Sequence, residues 1–391
     1  MKLPEYNGAK LMTNTDGLNL LNKLMLLFGK ANITKILTVA VMFSAAGLCN
    51  AQKNELNVIL LIGDGMGVGA VSISDHSMDN SPFRKFPTVG LVNTRCADSV
   101  ITDSGAGVTA IATGHTTNWK YLGNDPEGKP LQNIFEFIKP MGYATGIITT
   151  STVTDATPAG FVAHFNSRYK YFEIAEAFVD SGVDVVIGGG TKKFVPEEMG
   201  GQRKDGINLI PRIQQNGYLF FDEWDQLEKQ SPTQKFFALL EYDELPQAED
   251  RDYSLGDVTN VALNNLSKNK TGFFLMVEGS KIDDAGHANN AKLLKNELED
   301  FNTAVNAALN FAEADGNTLV IVTADHETGG VAIFYGDQKI KELDVRFSHH
   351  DHTGNLIAIF SCGPGSENFG GVMDNDEMGQ KLFNLFSNYA D

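Results

Sequence analysis

Residues 57–67 read NVILLIGDGMG. Asn57–Ile62 is a short apolar run without polar alternation, the pattern of a buried strand. Gly63 ends it, a glycine-rich turn follows, and the spacing predicts a helix from about Val68. The same strand-then-helix pattern recurs along the chain. Tyr143–Thr149, Val183–Ile187, Gly272–Val277, Thr318–Thr323 and Leu356–Phe360 read as strands. Helical periodicity fills the gaps at Thr109–Thr113, Leu131–Ile138, Phe172–Ser181, Asp257–Leu266, Ala291–Glu313 and Glu377–Phe386. Repeated strand–helix units predict an α/β fold, a three-layer α/β/α sandwich around a largely parallel central sheet. Residues 191–251 are polar, charged and irregular, with weak strands near Tyr218–Phe221 and Lys235–Leu240. They read as a short insertion near the rim. No stretch resembles a linker, so residues 52–391 are expected to form a single catalytic domain.

The chain has 391 residues and a net charge of −18, from 31 basic and 49 acidic side chains. That balance argues against nucleic acid as a specific partner, since phosphate backbones need neutralising cations. It leaves a small anionic substrate open, because bound metal ions can invert the field inside a cleft. Lys30 and Lys35 precede the apolar run Ile36–Leu48, which is too short to span a bilayer comfortably and ends in Cys49-Asn50-Ala51. Basic start, apolar run and small-residue end describe a secretory signal cut after Ala51, so residues 1–51 read as leader and signal peptide. A membrane anchor ranks lower, as does lipidation of Cys49, since Leu48 is large for a lipoprotein site. The mature chain would be periplasmic or extracellular and hold no stable membrane span. Its only cysteines, Cys96 and Cys362, are expected as free thiols. Two thiols cannot build a cysteine-based zinc site, so any metal must rest on His and carboxylates.

Such residues gather at the carboxyl ends of predicted strands, where open α/β sheets bind ligands. Asp64 follows the first. Asp155 and Thr157 follow the Tyr143 strand. Glu278, Asp283 and His287 follow the Gly272 strand, and Asp325 and His326 the Thr318 strand. His352 lies just before Leu356–Phe360. Asp283 and His287 are spaced to face the same way on one helical turn. Asp325 and His326 can share a metal if the backbone kinks between them. These two groups suit zinc. Asp64, Thr157 and Glu278 offer only oxygen, which suits magnesium. Ser104, in TDSGAGVTAIATG, starts an Ala/Gly/Thr helix, and a helix N-terminus favours an anion. Its hydroxyl is a poor nucleophile unless a base or metal activates it. No G-x-S-x-G elbow surrounds it, which favours a metal.

Plainer explanations compete with each of these. A lone Asp after a strand, or a lone Ser before a helix, is often a cap. His349 and His350 suit a solvated loop, and His76, His115 and His164 suit structural or exposed positions. Gly65, Gly67 and Ala70 loosely match a dinucleotide turn, but Asp64 would repel a pyrophosphate. Such explanations would have to hold independently at five strand ends.

The motifs IGDGMG, ITDSGAGVTAIATG, DATPAGFVAHFNSR, FFLMVEGSKID, GHANN, GNTLVIVTADHETGG and HTG occur in this order. On them the chain resembles the alkaline phosphatase family, in a compact, Bacteroidetes-like bacterial form. The resemblance implies hydrolysis of small phosphate monoesters through a phosphoserine at Ser104, by two in-line displacements. It implies two zinc ions, one on Asp283, His287 and His352 and one on Asp64, Asp325 and His326. It implies one magnesium ion on Asp64, Thr157 and Glu278, supported by Asp155. Arg168 would clamp two phosphate oxygens. A homodimer is compatible with it. Asp284 departs from the lysine, histidine or tryptophan that the family often carries there, and with Asp155 it would strengthen magnesium binding or weaken the hold on phosphate. Gly286 implies a more open first zinc site. A phosphodiesterase or other phosphoryl-transfer enzyme of the same superfamily is the nearest alternative. A non-catalytic secreted metal- or phosphate-binding protein is the alternative from another class.

Overall fold

The apolar run that opens the chain's pattern forms β1 (Asn57–Gly63), buried at every residue. The structure is a computed structural model that describes residues 56–390 except 80, 231 and 338. The expected leader and signal peptide lie outside the described residues. The other strands are β2 (Thr88–Asn93), β3 (Ala144–Thr152), β4 (Val185–Gly189), β5 (Leu219–Phe221), β6 (Phe236–Glu241) and β7 (Phe273–Gly279). After them come β8 (Thr318–Thr323), β9 (Glu327–Thr328), β10 (Val331–Asp337), β11 (Glu342–Phe347), β12 (His352–Thr353), β13 (Ile357–Cys362) and β14 (Gly371–Asp374).

Ten of these make one sheet, in the order β14-β2-β13-β8-β1-β7-β3-β4-β6-β5. β1 pairs in parallel with β7 and β8, and β7 with β3, so the most apolar strands lie together at the centre. β13 alone runs against its neighbours, antiparallel to both β8 and β2. Helices pack on the sheet as the alternation of strand and helix requires. Leu255–Leu266 packs on Ala291–Asp315, and Ser104–Thr113 packs on Asn375–Ala390. Phe135, Phe161, Phe274 and Phe386 meet ring to ring in the core.

The two edges of the sheet carry the weakest sequence signals: the weak strands expected near Tyr218–Phe221 and Lys235–Leu240 are present as β5 and β6, and β2 and β14 were not expected. The irregular segment 191–251 supplies β5 and β6, which extend the sheet at one edge. β2 and β14 form the other edge, and neither carries a long apolar run. β14 pairs on one side only and needs less burial, and β2, though paired on both sides, is only partly buried along its length, so their sequence signal is weaker. β10 and β11 form a separate hairpin outside the sheet. Cys96 and Cys362 are both free thiols. No helix among the described residues is long and apolar enough to cross a membrane.

His164 is structural. Its Nδ1–H donates to Gly123 O at 2.8 Å and its Nε2–H to Glu136 Oε1 at 2.9 Å. Both ring nitrogens face acceptors, so the imidazolium makes both bonds and the neutral ring only one. The Glu136 bond accordingly raises the His164 pKa above the usual histidine range. Glu136 also closes the capping box of helix Ile134–Ile138 with Asn133. A raised folded pKa gives stability that is fully present below the unfolded value of about 6.5 and is lost as pH rises through the folded value. The pair is partly exposed, so its worth is about 0.5–1 kcal/mol. Urea unfolding of the wild type and His164→Gln should show a stability gap that narrows by that amount between about pH 5.5 and about pH 9. A gap independent of pH would refute the link.

Candidate active site

β1, β3, β7 and β8 all deliver their carboxyl ends to one rim of the sheet. Asp64 follows β1, Glu278 sits near the end of β7, and Asp325 and His326 follow β8. Asp155 and Thr157 follow β3, where Asp155 caps the short helix Ala156–Ala159. Asp283 and His287 lie on one turn of helix Lys281–His287, their Oδ2 and Nε2 atoms 3.2 Å apart. His352 precedes β13. Because β13 is reversed, its beginning lies at the rim where its neighbours end.

The structure brings these residues into two trios. The donor atoms of Asp283, His287 and His352 lie within 4.8 Å of one another, as do those of Asp64, Asp325 and His326. In the second trio, His326 Nε2 stands 3.4 Å from Asp64 Oδ1, 3.3 Å from Asp325 Oδ2 and 3.3 Å from Ser104 Oγ. One ring nitrogen cannot serve three oxygens. Asp64 Oδ1 and Asp325 Oδ2 are in fact buried without a hydrogen bond, and so is Thr157 Oγ1. Buried polar atoms are rarely left so unless something else binds them.

The imidazoles are oriented from behind. His287 Nδ1–H donates to His350 O at 2.7 Å, and His352 Nδ1–H to Thr102 O at 2.9 Å. Thr328 spends its hydroxyl proton on Asp283 Oδ1, so it accepts from His326 Nδ1 at 3.2 Å. Each ring therefore points Nε2 at its trio, where a cation can replace the proton that His287 shares with Asp283, the orientation in which metal-binding histidines are held. The charges tell the same story. Burial, then the charges of Asp325, Asp283 and Glu278, push Asp64 well above the usual carboxylate range. Burial raises Glu278 to about 8, against the hydrogen bond from Thr149. Burial would also raise Asp283, but the His287 hydrogen bond and the neighbouring imidazoles hold it below its ordinary value. The Asp283 bond in turn lifts His287 to about 9. Buried carboxylates with this little compensating charge fit divalent cations. His and carboxylate oxygen suit zinc at both trios, and oxygen alone suits magnesium between Asp64, Thr157 and Glu278.

Ser104 is the first residue of helix Ser104–Thr113, and the cap is its neighbour Asp103. Asp103 accepts from the N–H groups of Gly105 at 3.1 Å and Ala106 at 3.3 Å. The Gly105 and Ala106 N–H groups are thus taken by a carboxylate, and an anion at the helix start needs a further group beside it. Arg168 is placed for it: Nη1 lies 3.3 Å from Ser104 Oγ and 3.1 Å from Asp103 Oδ2, and Nη2 3.0 Å from Asp155 Oδ1. Asp155 is therefore engaged with Arg168, with Ser151 Oγ at 3.1 Å and with the Ala156 N–H at 2.8 Å.

The small residues after Ser104 let the backbone of another segment approach. A Cβ on Gly107 would stand 2.9 Å from the Asp325 carbonyl oxygen. Gly286 does not open the first trio, because a Cβ there would meet Thr328 Cγ2 at 2.9 Å. It admits the residue that bonds Asp283. Asp284 lines the cavity, its carboxylate 3.9 Å from Lys281 Nζ. That cavity measures about 370 Å³ and also exposes Ser104, Arg168, Asp155, Trp119, Lys120 and Tyr169. The sequence pattern missed Asp103 and Thr328. Asp103 carried a signal, since aspartate directly before a predicted helix is a preferred cap.

Residues 55–340 match the family described as alkaline phosphatase. Alkaline phosphatase 3 of Bacillus subtilis is 33% identical across 85% of this chain and 89% of its own. Alkaline phosphatase of Escherichia coli is 30% identical across 84% and 85%. The solved alkaline phosphatase of the Antarctic bacterium TAB5 superposes with a TM-score of 0.79 at 34% identity, covering 85% of this chain and 98% of that one. A variant of the TAB5 protein is described with Mg bound in its M3 site. With the sheet, the rim and the two trios in place, the matches identify the chain as a phosphatase that belongs to the alkaline phosphatase family.

Proposed function

We propose that this chain hydrolyses phosphate monoesters in two displacements, with Ser104 as the nucleophile and a phosphoserine between them. The observation that carries the proposal is the position of Ser104 Oγ, 3.3 Å from both His326 Nε2 and Arg168 Nη1. A hydroxyl at that point faces a cation-binding trio on one side and a guanidinium fork on the other. Asp64, Asp325 and His326 would hold one zinc ion, Asp283, His287 and His352 a second, and Asp64, Thr157 and Glu278 a magnesium ion. The magnesium in the TAB5 variant supports the third assignment by likeness. When bound, these cations would supply the positive charge that eases deprotonation of Ser104 and stabilises the leaving oxygen.

The chain's own groups do the positioning. Arg168 takes two non-bridging oxygens of the ester with its planar fork. Asp103 and Asp155 fix that fork before substrate arrives, so no ordering is needed at the moment of reaction. Ser104 Oγ forms a bond to phosphorus as the bond to the alcohol oxygen breaks. In-line geometry sends the alcohol away from Ser104, toward the Asp283 trio. Water then attacks from the vacated side, the Ser104–phosphorus bond breaks, and inorganic phosphate leaves. Export of the chain belongs to the same proposal, on the strength of the apolar run Ile36–Leu48.

The direct test is a chromogenic monoester assay before and after chelation. Activity should vanish with chelator and return with zinc and magnesium together; activity indifferent to chelator would sink the proposal. Ser104→Ala should lower kcat by at least about a thousandfold while elemental analysis finds the same metal content. Turnover at the wild-type rate would remove Ser104 as nucleophile. Arg168→Ala loses a charge-assisted bidentate contact, so the inhibition constant of inorganic phosphate should rise roughly tenfold to a hundredfold. An unchanged constant would contradict the fork's role.

A further inference from the structure

We propose that Trp119 is the leaving-group platform of this site and favours monoesters of planar, aromatic alcohols. The proposal rests on the hydrolytic function above and adds a substrate class to it. An alcohol that departs opposite Ser104 Oγ moves toward Asp283, His287 and His352. Trp119 stands on that side. Its ring centre lies 6.4 Å from that of His352, tilted by 30°, and His352 itself stacks on His326 at 3.6 Å. His326, His352 and Trp119 thus follow one another as neighbouring rings from the second trio, and Trp119 lines the same cavity as Ser104 and Arg168. An aromatic face beside a departing oxygen attracts planar groups by dispersion and quadrupole contact.

The platform is built rigidly. Trp119 N–H donates to Asp98 Oδ1 at 2.9 Å, and Lys120 N–H to Asp103 Oδ1 at 2.7 Å. Lys120 O accepts from Arg168 N–H at 2.8 Å, and Tyr121 N–H closes the turn onto Asn118 O at 3.1 Å. Lys120 holds a φ of +67°, a conformation uncommon outside glycine. Strain of this kind persists only where the surroundings over-determine it, and it clusters at ligand-binding sites. The turn that presents Trp119 is thus tied to the same carboxylate that caps the Ser104 helix and holds Arg168. Tyr169, 54% exposed, also lines the cavity, with the Lys120 ammonium over its ring at 5.1 Å.

The experiment compares kcat/KM for 1-naphthyl phosphate and glycerol phosphate in the wild type, Trp119→Ala and Trp119→Phe. In Trp119→Ala the naphthyl-to-glycerol ratio should fall roughly threefold to tenfold, with KM for the naphthyl ester rising more than kcat falls. Trp119→Phe should recover most of the ratio. A ratio unchanged in Trp119→Ala, or a loss that Trp119→Phe does not recover, overturns the platform. A measurement on the wild type needs no variant: phenylphosphonate should inhibit more tightly than methylphosphonate, and equal inhibition overturns the proposal. Hydrolysis of neither ester by the wild type would instead fail the phosphatase reading itself, and the platform with it.

Discussion

The Asp103 carboxylate is the contact on which the site depends. It is 2% exposed and accepts from four donors: the N–H groups of Gly105, Ala106 and Lys120, and Arg168 Nη1. Those donors come from three separate stretches of chain. One carboxylate thus fixes the helix that begins with the nucleophile candidate, the arginine that faces it, and a turn that lines the cavity. A buried anion with this many partners is strongly held in place, and losing any one partner leaves charge uncompensated. Asn at this position would keep the shape and lose the charge that aligns Arg168.

Around that hub the fold gathers more negative charge than its own side chains can balance. Asp64, Glu278 and Asp325 are buried together, and Arg168 is already shared between Asp103 and Asp155. The chain leaves Asp64 Oδ1, Asp325 Oδ2 and Thr157 Oγ1 without hydrogen bonds while it orients all three imidazoles from behind. Oriented donors beside unpartnered acceptors are a cost to the folded chain that bound cations recover. Glycines support the arrangement by letting backbone segments touch, as Gly107 does against Asp325 and Gly286 against Thr328.

Much of this was legible in the sequence, for physical reasons. β1 and β8 stand out because central parallel strands are apolar on both faces, and their limits agree with the apolar runs. The residues of the two trios were legible because they sit at strand ends, where a fold class alone predicts ligands. The edges were less so: β2 and β14 carry no long apolar run, while β5 and β6 were legible only as weak strands in a segment whose charge suggests a surface loop. Asp103 was overshadowed by Ser104 beside it, although its capping role is a local matter. Thr328 and the Thr102 carbonyl could not be found at all from spacing, since they meet their histidines only through tertiary contact. The role expected of Gly286 was misjudged because sequence shows a missing side chain but not what occupies its place.

The reversal of β13 has a consequence for assembly. A parallel strand in that position would need a crossover of a dozen or more residues and would carry His352 to the far end of the sheet, about 20 Å away. As folded, a short approach through β12 sets the imidazole beside Asp283 and then runs straight into the sheet between β8 and β2. Completing the sheet and completing the first trio are therefore a single event. Cation affinity there is coupled to the docking of one strand, so that ion and strand each hold the other in place.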